Sequence, residues 1–169
     1  MAIFRFLPLV LILLLLQPAG LLAQTAPKKV TIYNPQADAA ADIAVAVKKA
    51  NAEGKHVLLQ IGGNWCSWCL KFHELTTTDA RLDSAIKANY VVQKVNYSKE
   101  NQNLPVLQSL DYPQRFGFPV FVVLDGKGKR LHTQNSAYLE EDKGYSQKKI
   151  LEFLSHWSPA ALDPKTYKK

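Results

Sequence analysis

The sequence predicts an α/β protein with a mixed sheet of four to five strands and helices on both faces. Short apolar runs alternate with stretches of helical spacing through the first half of the folded region. Two later strands are separated by a tight glycine-containing turn, and an amphipathic helix follows them. Alternating strands and helices favour a sheet covered on both faces, and the late hairpin makes that sheet mixed rather than parallel.

The predicted elements follow the order β-α-β-α-β-α-β-β-α. Residues 29–33 are predicted as a short edge strand, and a helix is expected to open at Asn34 and Pro35 and to stop at Gly54. Residues 56–61 form a short apolar run that predicts a buried strand. After a turn at residues 62–64, a helix is expected to begin near Cys66.

The second half of the chain is predicted from caps, apolar runs and turns. Thr78 and Asp79 are expected to cap a helix over residues 80–89, and residues 90–95 alternate as a strand. Residues 98–117 are polar, contain two prolines and predict only a weak helix. The remaining predicted elements are a strand at 120–124, a turn at 125–128, a return strand at 130–133, a long loop at 135–145 and a helix at 147–157.

The N-terminal segment has the layout of a secretory signal peptide. Arg5 precedes a leucine-rich apolar run, which ends before Pro18, and small residues lead to Ala23. A bilayer span needs roughly 20 apolar residues, and this run is shorter. We therefore expect cleavage near Ala23, with an uncleaved membrane anchor as the alternative. The expected organisation is a signal peptide at 1–23, a lead-in at 24–35, one folded domain at 36–158 and a tail at 159–169.

The charge pattern does not point to nucleic acid. The formal net charge is +7, but the lysines are scattered and the clusters are confined to a turn and to the C-terminal end. A solvated basic surface explains this distribution, so no nucleic-acid partner is expected.

The two cysteines, Cys66 and Cys69, are expected to be a redox-active pair. An exported protein can keep disulfides, but a bridge between these cysteines closes a very small loop and so restricts the unfolded chain little. The pair falls where the predicted buried strand gives way to a helix, and a helix N-terminus stabilises a thiolate. Cys66 is therefore predicted to be the exposed nucleophile and Cys69 the deeper, resolving thiol.

The motif Trp65-Cys66-Ser67-Trp68-Cys69, combined with Lys94-Val95-Asn96 and with Gly117-Phe118-Pro119 before an apolar strand, resembles the thioredoxin superfamily. The chain looks most like exported bacterial thioredoxin-related proteins with a Trp-Cys-x-Trp-Cys motif, over residues 56–157. The resemblance implies a cis Pro119 against the Cys66 sulfur. It also implies that the backbone of Phe118 pairs with a bound peptide. Trp65, Trp68, Phe118 and Pro119 are thus expected to bind substrate, with Trp65 shielding the thiols and Trp68 forming a docking surface.

One position departs from the family pattern. Thioredoxin has a buried acid on the strand before the motif, and this chain has Gln60, which hydrogen-bonds but does not titrate. Lys94 matches a lysine that neighbours that acid, and without it Lys94 is expected to extend to solvent.

The predicted function is exchange of the Cys66–Cys69 dithiol and disulfide with protein clients in the periplasm or another extracytoplasmic compartment. By analogy the chain is expected to be a reductase supplied by a membrane electron donor, with no cofactor and no stable membrane insertion after signal cleavage. Two alternatives remain open: a non-catalytic binding module, and a metallochaperone using Cys66, Cys69 and His73. The second lacks an evident fourth ligand.

The loop at residues 135–145 is a candidate specificity element. It is longer than the roughly 2–6 residues usual for a strand-to-helix connection. It also carries Tyr138 and the acids Glu140, Glu141 and Asp142 on an otherwise basic protein. In the predicted topology it lies beside Cys66, where it would form a lip favouring basic or apolar clients, or simply a mobile surface loop.

Overall fold

The structure, a computed structural model, describes residues 30–168. The predicted signal peptide and the first half of the lead-in lie outside the described residues. The helices are α1 (Ala39–Glu53), α2 (Ser67–Thr78), α3 (Ala80–Asn89), α4 (Leu104–Ser109), α5 (Gln147–His156) and α6 (Pro159–Leu162). The strands are β1 (His56–Gly62), β2 (Tyr90–Asn96), β3 (Val120–Leu124), β4 (Arg130–Asn135), β5 (Glu140–Glu141) and β6 (Gly144–Tyr145). Within residues 30–168, no helix is both long and apolar enough to cross a membrane.

The central sheet has four strands in the order β2-β1-β3-β4. Strand β1 runs parallel to β2 and antiparallel to β3, and β4 returns antiparallel to β3. A mixed sheet was predicted, and it is mixed because β3 runs antiparallel to β1 whereas β2 runs parallel to it. The hairpin adds β4 as a further antiparallel strand, since a tight turn can join only antiparallel strands.

Both faces of the two central strands are buried, which confirms the predicted layering. Every residue of β1 and β3 is buried. Successive side chains on a strand point to opposite faces, so Leu59 joins the core under α1 while Leu58 joins the core under α2, α3 and α5. Strand β1 therefore lies between two apolar layers. This packing fixes the C-terminal end of β1, from which a short loop leads to Cys66.

The edge strand predicted at residues 29–33 is wrong for the part that the structure describes. Residues 30–33 are not part of the sheet. The Asn64 side chain takes the hydrogen bonds that a strand would have used, accepting from the backbone N–H groups of Ile32 and Tyr33 and donating to the Tyr33 carbonyl. The segment is thereby tied to the loop before the motif instead of to a sheet edge.

The first helix begins later than predicted. Asn34 forms a turn, in which its carbonyl accepts from Ala37 N–H and its side chain accepts from Gln36 N–H. Asp38 caps α1, and Gly54 ends it in the left-handed conformation with φ 64°. The glycine stop was predicted correctly, whereas the start was wrong because an aspartate four residues on makes the cap.

The long loop after β4 contains more structure than predicted. Strand β4 extends to Asn135, Ser136–Leu139 form a 3₁₀ helix, and β5 and β6 form a small antiparallel hairpin. The segment after residue 158, predicted only as a tail, forms α6 and a 3₁₀ turn at Pro164–Tyr167.

Candidate functional site

Cys66 and Cys69 form a disulfide at the N-terminus of α2, immediately beyond the end of β1. Cys66 is the N-cap residue, and its Sγ accepts a hydrogen bond from the backbone N–H of Cys69 at 3.1 Å. A cap position exposes the sulfur to the unpaired N–H groups and to the positive end of the helix dipole, both of which stabilise a thiolate. The local environment predicted from the sequence is present around Cys66.

The two sulfurs differ in depth, although less than predicted. Cys69 is fully buried and Cys66 is 5% exposed in the disulfide form. Cys66 was expected to be accessible to solvent, and this exposure is small because Phe118 and Trp68 pack against the cluster that contains both cysteines. The order of depth is the predicted one, with Cys66 the outer residue.

Phe118 and Pro119 lie at the same end of the sheet as the disulfide. The Phe118–Pro119 peptide bond is cis, as the resemblance implied. Pro119 directly precedes Val120, which pairs with Ile61 near the end of β1. Strand β3 therefore brings both residues to this end of the sheet from a distant part of the sequence, and Phe118 packs against the two cysteines.

Trp65 forms an exposed aromatic surface with Phe118. Its side chain is 58% exposed, its ring meets the Phe118 ring edge-on at 5.5 Å, and its Nε1 donates to the Tyr97 carbonyl at 2.7 Å. Tyr97 in turn lies against Phe118, with ring centroids 4.7 Å apart. The aromatic residues thus form a fixed apolar rim beside the disulfide rather than separate mobile side chains.

Trp68 connects the motif to the loop after β4. Its ring packs edge-on against Tyr145 of β6 at 5.2 Å, and Lys71 Nζ lies 4.7 Å from the Trp68 ring centroid. Lys71 also donates to the Lys143 carbonyl at 2.7 Å. The β5–β6 hairpin is therefore attached to α2, and the loop lies at the Cys66 end of the molecule, as the topology predicted. Tyr138 in this loop is 74% exposed.

Gln60 and Lys94 form a polar pair behind Cys69. Gln60 is buried; its Nε2 donates to the Cys69 carbonyl at 3.1 Å, and its Oε1 accepts from Lys94 Nζ at 3.1 Å. The expectation that Lys94 extends to solvent is wrong, because it pairs with Gln60 across β1 and β2. Burial lowers the pKa of Lys94 to about 8. The Lys94 ammonium group is therefore linked to Cys69 through Gln60, and its hydrogen-bond partner is a neutral amide instead of a carboxylate.

Sequence reasoning missed Tyr33 and Asn64. Tyr33 is 2% exposed and packs in one cluster with Cys66 and Cys69. The Asn64 side chain bonds to the backbone N–H groups of Ile32 and Tyr33 and to the Tyr33 carbonyl, over distances of 2.8 to 2.9 Å. The position of Asn64 directly before the motif was visible in the sequence, but the contact of Tyr33 with the cysteines joins residues more than thirty positions apart.

The metallochaperone alternative requires Cys66, Cys69 and His73 to converge. Among residues 30–168, no group of three or more His, Cys, Asp or Glu side chains is arranged to hold a metal ion. Burial and the nearby Lys94 charge lower the pKa of His73. This histidine therefore lies in the surroundings of Lys94, and a cation there disfavours a second positive charge.

Comparisons with known proteins agree with this geometry. A sequence model of a family described as thioredoxin-like matches residues 38–126, more than half of the chain. The crystal structure of a disulphide isomerase from Xylella fastidiosa Temecula1 is similar with a TM-score of 0.66 and 25% identity, over 75% of this chain and 95% of that one. The thiol:disulfide interchange protein DsbD of Escherichia coli O6:H1 is 27% identical over 78 residues, which are 46% of this chain. DsbD of Escherichia coli K12 matches to the same extent. The match spans only 13% of the length of these DsbD proteins.

Proposed function

The chain belongs to the thioredoxin-like family, and on that premise we propose that it is a protein thiol–disulfide oxidoreductase that reduces client disulfides outside the cytoplasm. The observation that carries the proposal is the Cys66–Cys69 disulfide at the N-terminus of α2, with Phe118 packed against the two cysteines and followed by the cis Phe118–Pro119 bond. Its substrates are proteins that contain disulfides or thiols. The extracytoplasmic location rests on the N-terminal pattern of residues 1–23.

In the proposed reaction, the Cys66 thiolate attacks one sulfur of a client disulfide. The client S–S bond breaks, one client sulfur leaves as a thiolate and takes a proton from water, and the other is held in a mixed disulfide with Cys66. Cys69 then loses its proton and attacks Cys66 Sγ, which releases the second client thiolate and leaves the Cys66–Cys69 disulfide. The client has gained two electrons, and a dithiol donor must return two electrons to the chain before the next cycle.

The aromatic rim is proposed to hold the client during this exchange. Trp65 and Phe118 expose apolar surface beside the disulfide, and Trp68 supports the side formed by the β5–β6 hairpin. Aromatic side chains bury large areas with few rotatable bonds, which suits them to binding extended peptides of varied sequence. The residue preceding Pro119 is proposed to contribute its backbone to the bound peptide.

The roles of the two cysteines are tested by trapping. Cys69→Ser should accumulate mixed disulfides with a protein client, because the resolving attack is lost, whereas Cys66→Ser should form none. In the wild-type chain Cys66 should also alkylate faster than Cys69 at neutral pH. Trapping by Cys66→Ser, or equal alkylation of both thiols, contradicts the assignment.

The direction of electron flow is tested by the reduction potential. A value close to about −270 mV identifies a reductase, and one close to about −120 mV identifies an oxidant. Turnover of a simple disulfide by the wild-type chain with a dithiol donor distinguishes an enzyme from a thioredoxin-fold binding module. A chain that binds clients but leaves the disulfide unreduced rejects the proposal.

A further inference from the structure

The residue at the position of the family's buried acid does not hydrogen-bond to the sulfur of the resolving thiol, Cys69. Gln60 stands in the place of the family's buried acid, and its amide nitrogen is committed to the Cys69 carbonyl. Its oxygen is committed to Lys94. Cys69 is fully buried, and burial in apolar surroundings disfavours a thiolate. Something else in the pocket must stabilise the charge that forms on Cys69 when it attacks.

The Tyr33 hydroxyl lies beside this sulfur. A Cβ atom placed on Gly62 would lie 2.4 Å from Cys69 Sγ and 3.1 Å from the Tyr33 hydroxyl oxygen, so both groups cover the same side of Gly62. Tyr33, Cys66 and Cys69 also form one cluster of buried side chains. The phenol is therefore buried with the two cysteines, and its hydroxyl lies on the Cys69 side of Gly62.

The position of Tyr33 is fixed by its backbone. Asn64 Oδ1 accepts from the N–H of Ile32 and from the N–H of Tyr33, and Asn64 Nδ2 donates to the Tyr33 carbonyl. Asn64 lies two residues before Cys66. The same short loop thus holds the backbone of Tyr33 and leads into the nucleophile.

The hydroxyl is an unused hydrogen-bond donor. Its oxygen is buried and has no hydrogen-bond partner among residues 30–168. Gln60 approaches closely enough to lower the pKa of the phenol somewhat, without a hydrogen bond of normal geometry, but burial is the larger effect and raises that pKa far above its ordinary value. The phenol therefore keeps its proton. Buried donors without a partner are rare in native proteins and call for an explanation.

We propose that the Tyr33 hydroxyl donates a hydrogen bond to the Cys69 thiolate in the mixed-disulfide state, which makes Tyr33 a catalytic residue of the resolving step. This role rests on the proposed oxidoreductase function. Cys69 gives its proton to water, its thiolate attacks Cys66 Sγ, and the client thiolate departs and takes a proton from water. Tyr33 keeps its own proton throughout and stabilises charge on Cys69. In the disulfide form Cys69 has no charge, which explains why the donor is unpaired there.

The titratable groups around this pocket come from three elements. Lys94 of β2 reaches Cys69 through Gln60, and its positive charge also favours a thiolate. His73 of α2 lies near Lys94. Tyr145 of β6 interacts electrostatically with Tyr33 and remains protonated, because burial raises its pKa. Lys94 and Tyr33 therefore act in the same direction on Cys69, and a test must separate them.

The test follows the reaction of the reduced full-length chain with dithiobis(nitrobenzoate), an aromatic disulfide. Attack by Cys66 releases one coloured thiolate at a rate proportional to reagent concentration. Attack by Cys69 on the resulting mixed disulfide releases a second at a rate independent of that concentration. Tyr33→Phe keeps the ring and removes only the hydroxyl. We expect the second phase to slow about tenfold at neutral pH, the lower end of the factor set by one hydrogen bond to a charged group, with the first phase within about twofold of wild type.

Tyr90→Phe is the matched control. Tyr90 is also buried, but its hydroxyl donates to the Leu154 carbonyl in another part of the core. Tyr90→Phe should therefore lower the thermal midpoint while leaving the second phase unchanged. Tyr33→Phe should instead leave the midpoint unchanged and shift the pH profile of the second phase upward, because the Cys69 thiolate has lost its donor. Lys94 remains in both variants, so its charge cannot cause the difference.

The outcomes separate the two proposals. If Tyr33→Phe resolves as fast as wild type, or if both variants slow the second phase equally, the role of Tyr33 is wrong and the oxidoreductase function stands. If the wild-type chain releases no second thiolate, the cysteines are not an exchanging pair, and both proposals fall together.

Discussion

Gly62→Ala tests how tightly the disulfide is enclosed. The new Cβ would lie 2.4 Å from Cys69 Sγ, whereas ordinary van der Waals contact begins at 3.4 Å, so the sulfur must move by about 1 Å. Overpacking of this kind costs typically about 1–3 kcal/mol. Replacement of a strand glycine by alanine regains about 0.5–1 kcal/mol of conformational entropy. From the centres of these two ranges, we expect the oxidised variant to lose about 1 kcal/mol of unfolding free energy.

The loss should depend on the redox state. In the oxidised chain Cys69 Sγ is bonded to Cys66 and cannot turn away from the new methyl group. In the reduced chain it can rotate, so the loss should be smaller. The disulfide is then destabilised relative to the dithiol, and the reduction potential should rise by about 30 mV for each 1.4 kcal/mol of difference.

The assay is urea unfolding of oxidised and reduced protein, combined with redox equilibration against a dithiol of known potential. Gly144→Ala is the control, because a Cβ at Gly144 meets nothing within 4 Å. It should be neutral or slightly stabilising in both redox states. An unchanged stability of oxidised Gly62→Ala, or an equal loss in both redox states, would refute the reasoning from the enclosed sulfur.

Three further predictions concern Lys94, Gln60 and the loop after β4. Because burial lowers the pKa of Lys94 to about 8, the folded chain binds fewer protons than the unfolded chain above that pH, and the free energy of unfolding should rise by up to about 1.4 kcal/mol per unit between about pH 8 and pH 10. Lys94→Met should abolish this rise in urea unfolding, and a rise that persists in the variant assigns it to another group. Gln60→Glu places a titrating carboxyl between Lys94 and Cys69, so the resolving rate should gain an ionisation; an unchanged pH profile in folded protein would exclude influence of this side chain on Cys69. Tyr138→Ser combined with neutral residues at 140–142 should alter the rate with a folded protein client and not the rate with a small disulfide. If the variant reacts with both substrates at the wild-type rates, the loop has no role in client recognition.

The thioredoxin-like fold could be predicted from the sequence because most of its helices and strands are specified by residues within the element or next to it. Strands β1 and β3 are buried on both faces, and this produces mainly apolar stretches, interrupted in β1 by Gln60, instead of regular alternation. Gly54 and Asp79 terminate and cap helices through contacts within a few residues. The redox pair was equally local, because Cys66 and Cys69 share one turn of the same helix.

The surroundings of Cys69 were decided only by the tertiary structure. Residues 30–33 have the composition of a strand, yet the side chain of Asn64 competes successfully for their backbone groups and turns Tyr33 into the cysteine cluster. The sequence alone indicates that Lys94 is a surface lysine. The structure places it opposite Gln60, because β1 and β2 pair in parallel with these two residues in register. The burial of Lys94 and Tyr33 depends on contacts between segments far apart in the chain. This burial lowers the pKa of Lys94 and leaves the Tyr33 hydroxyl without a hydrogen-bond partner among residues 30–168. Local patterns therefore determined which residues carry the redox chemistry, and long-range packing determined which groups stabilise its charges.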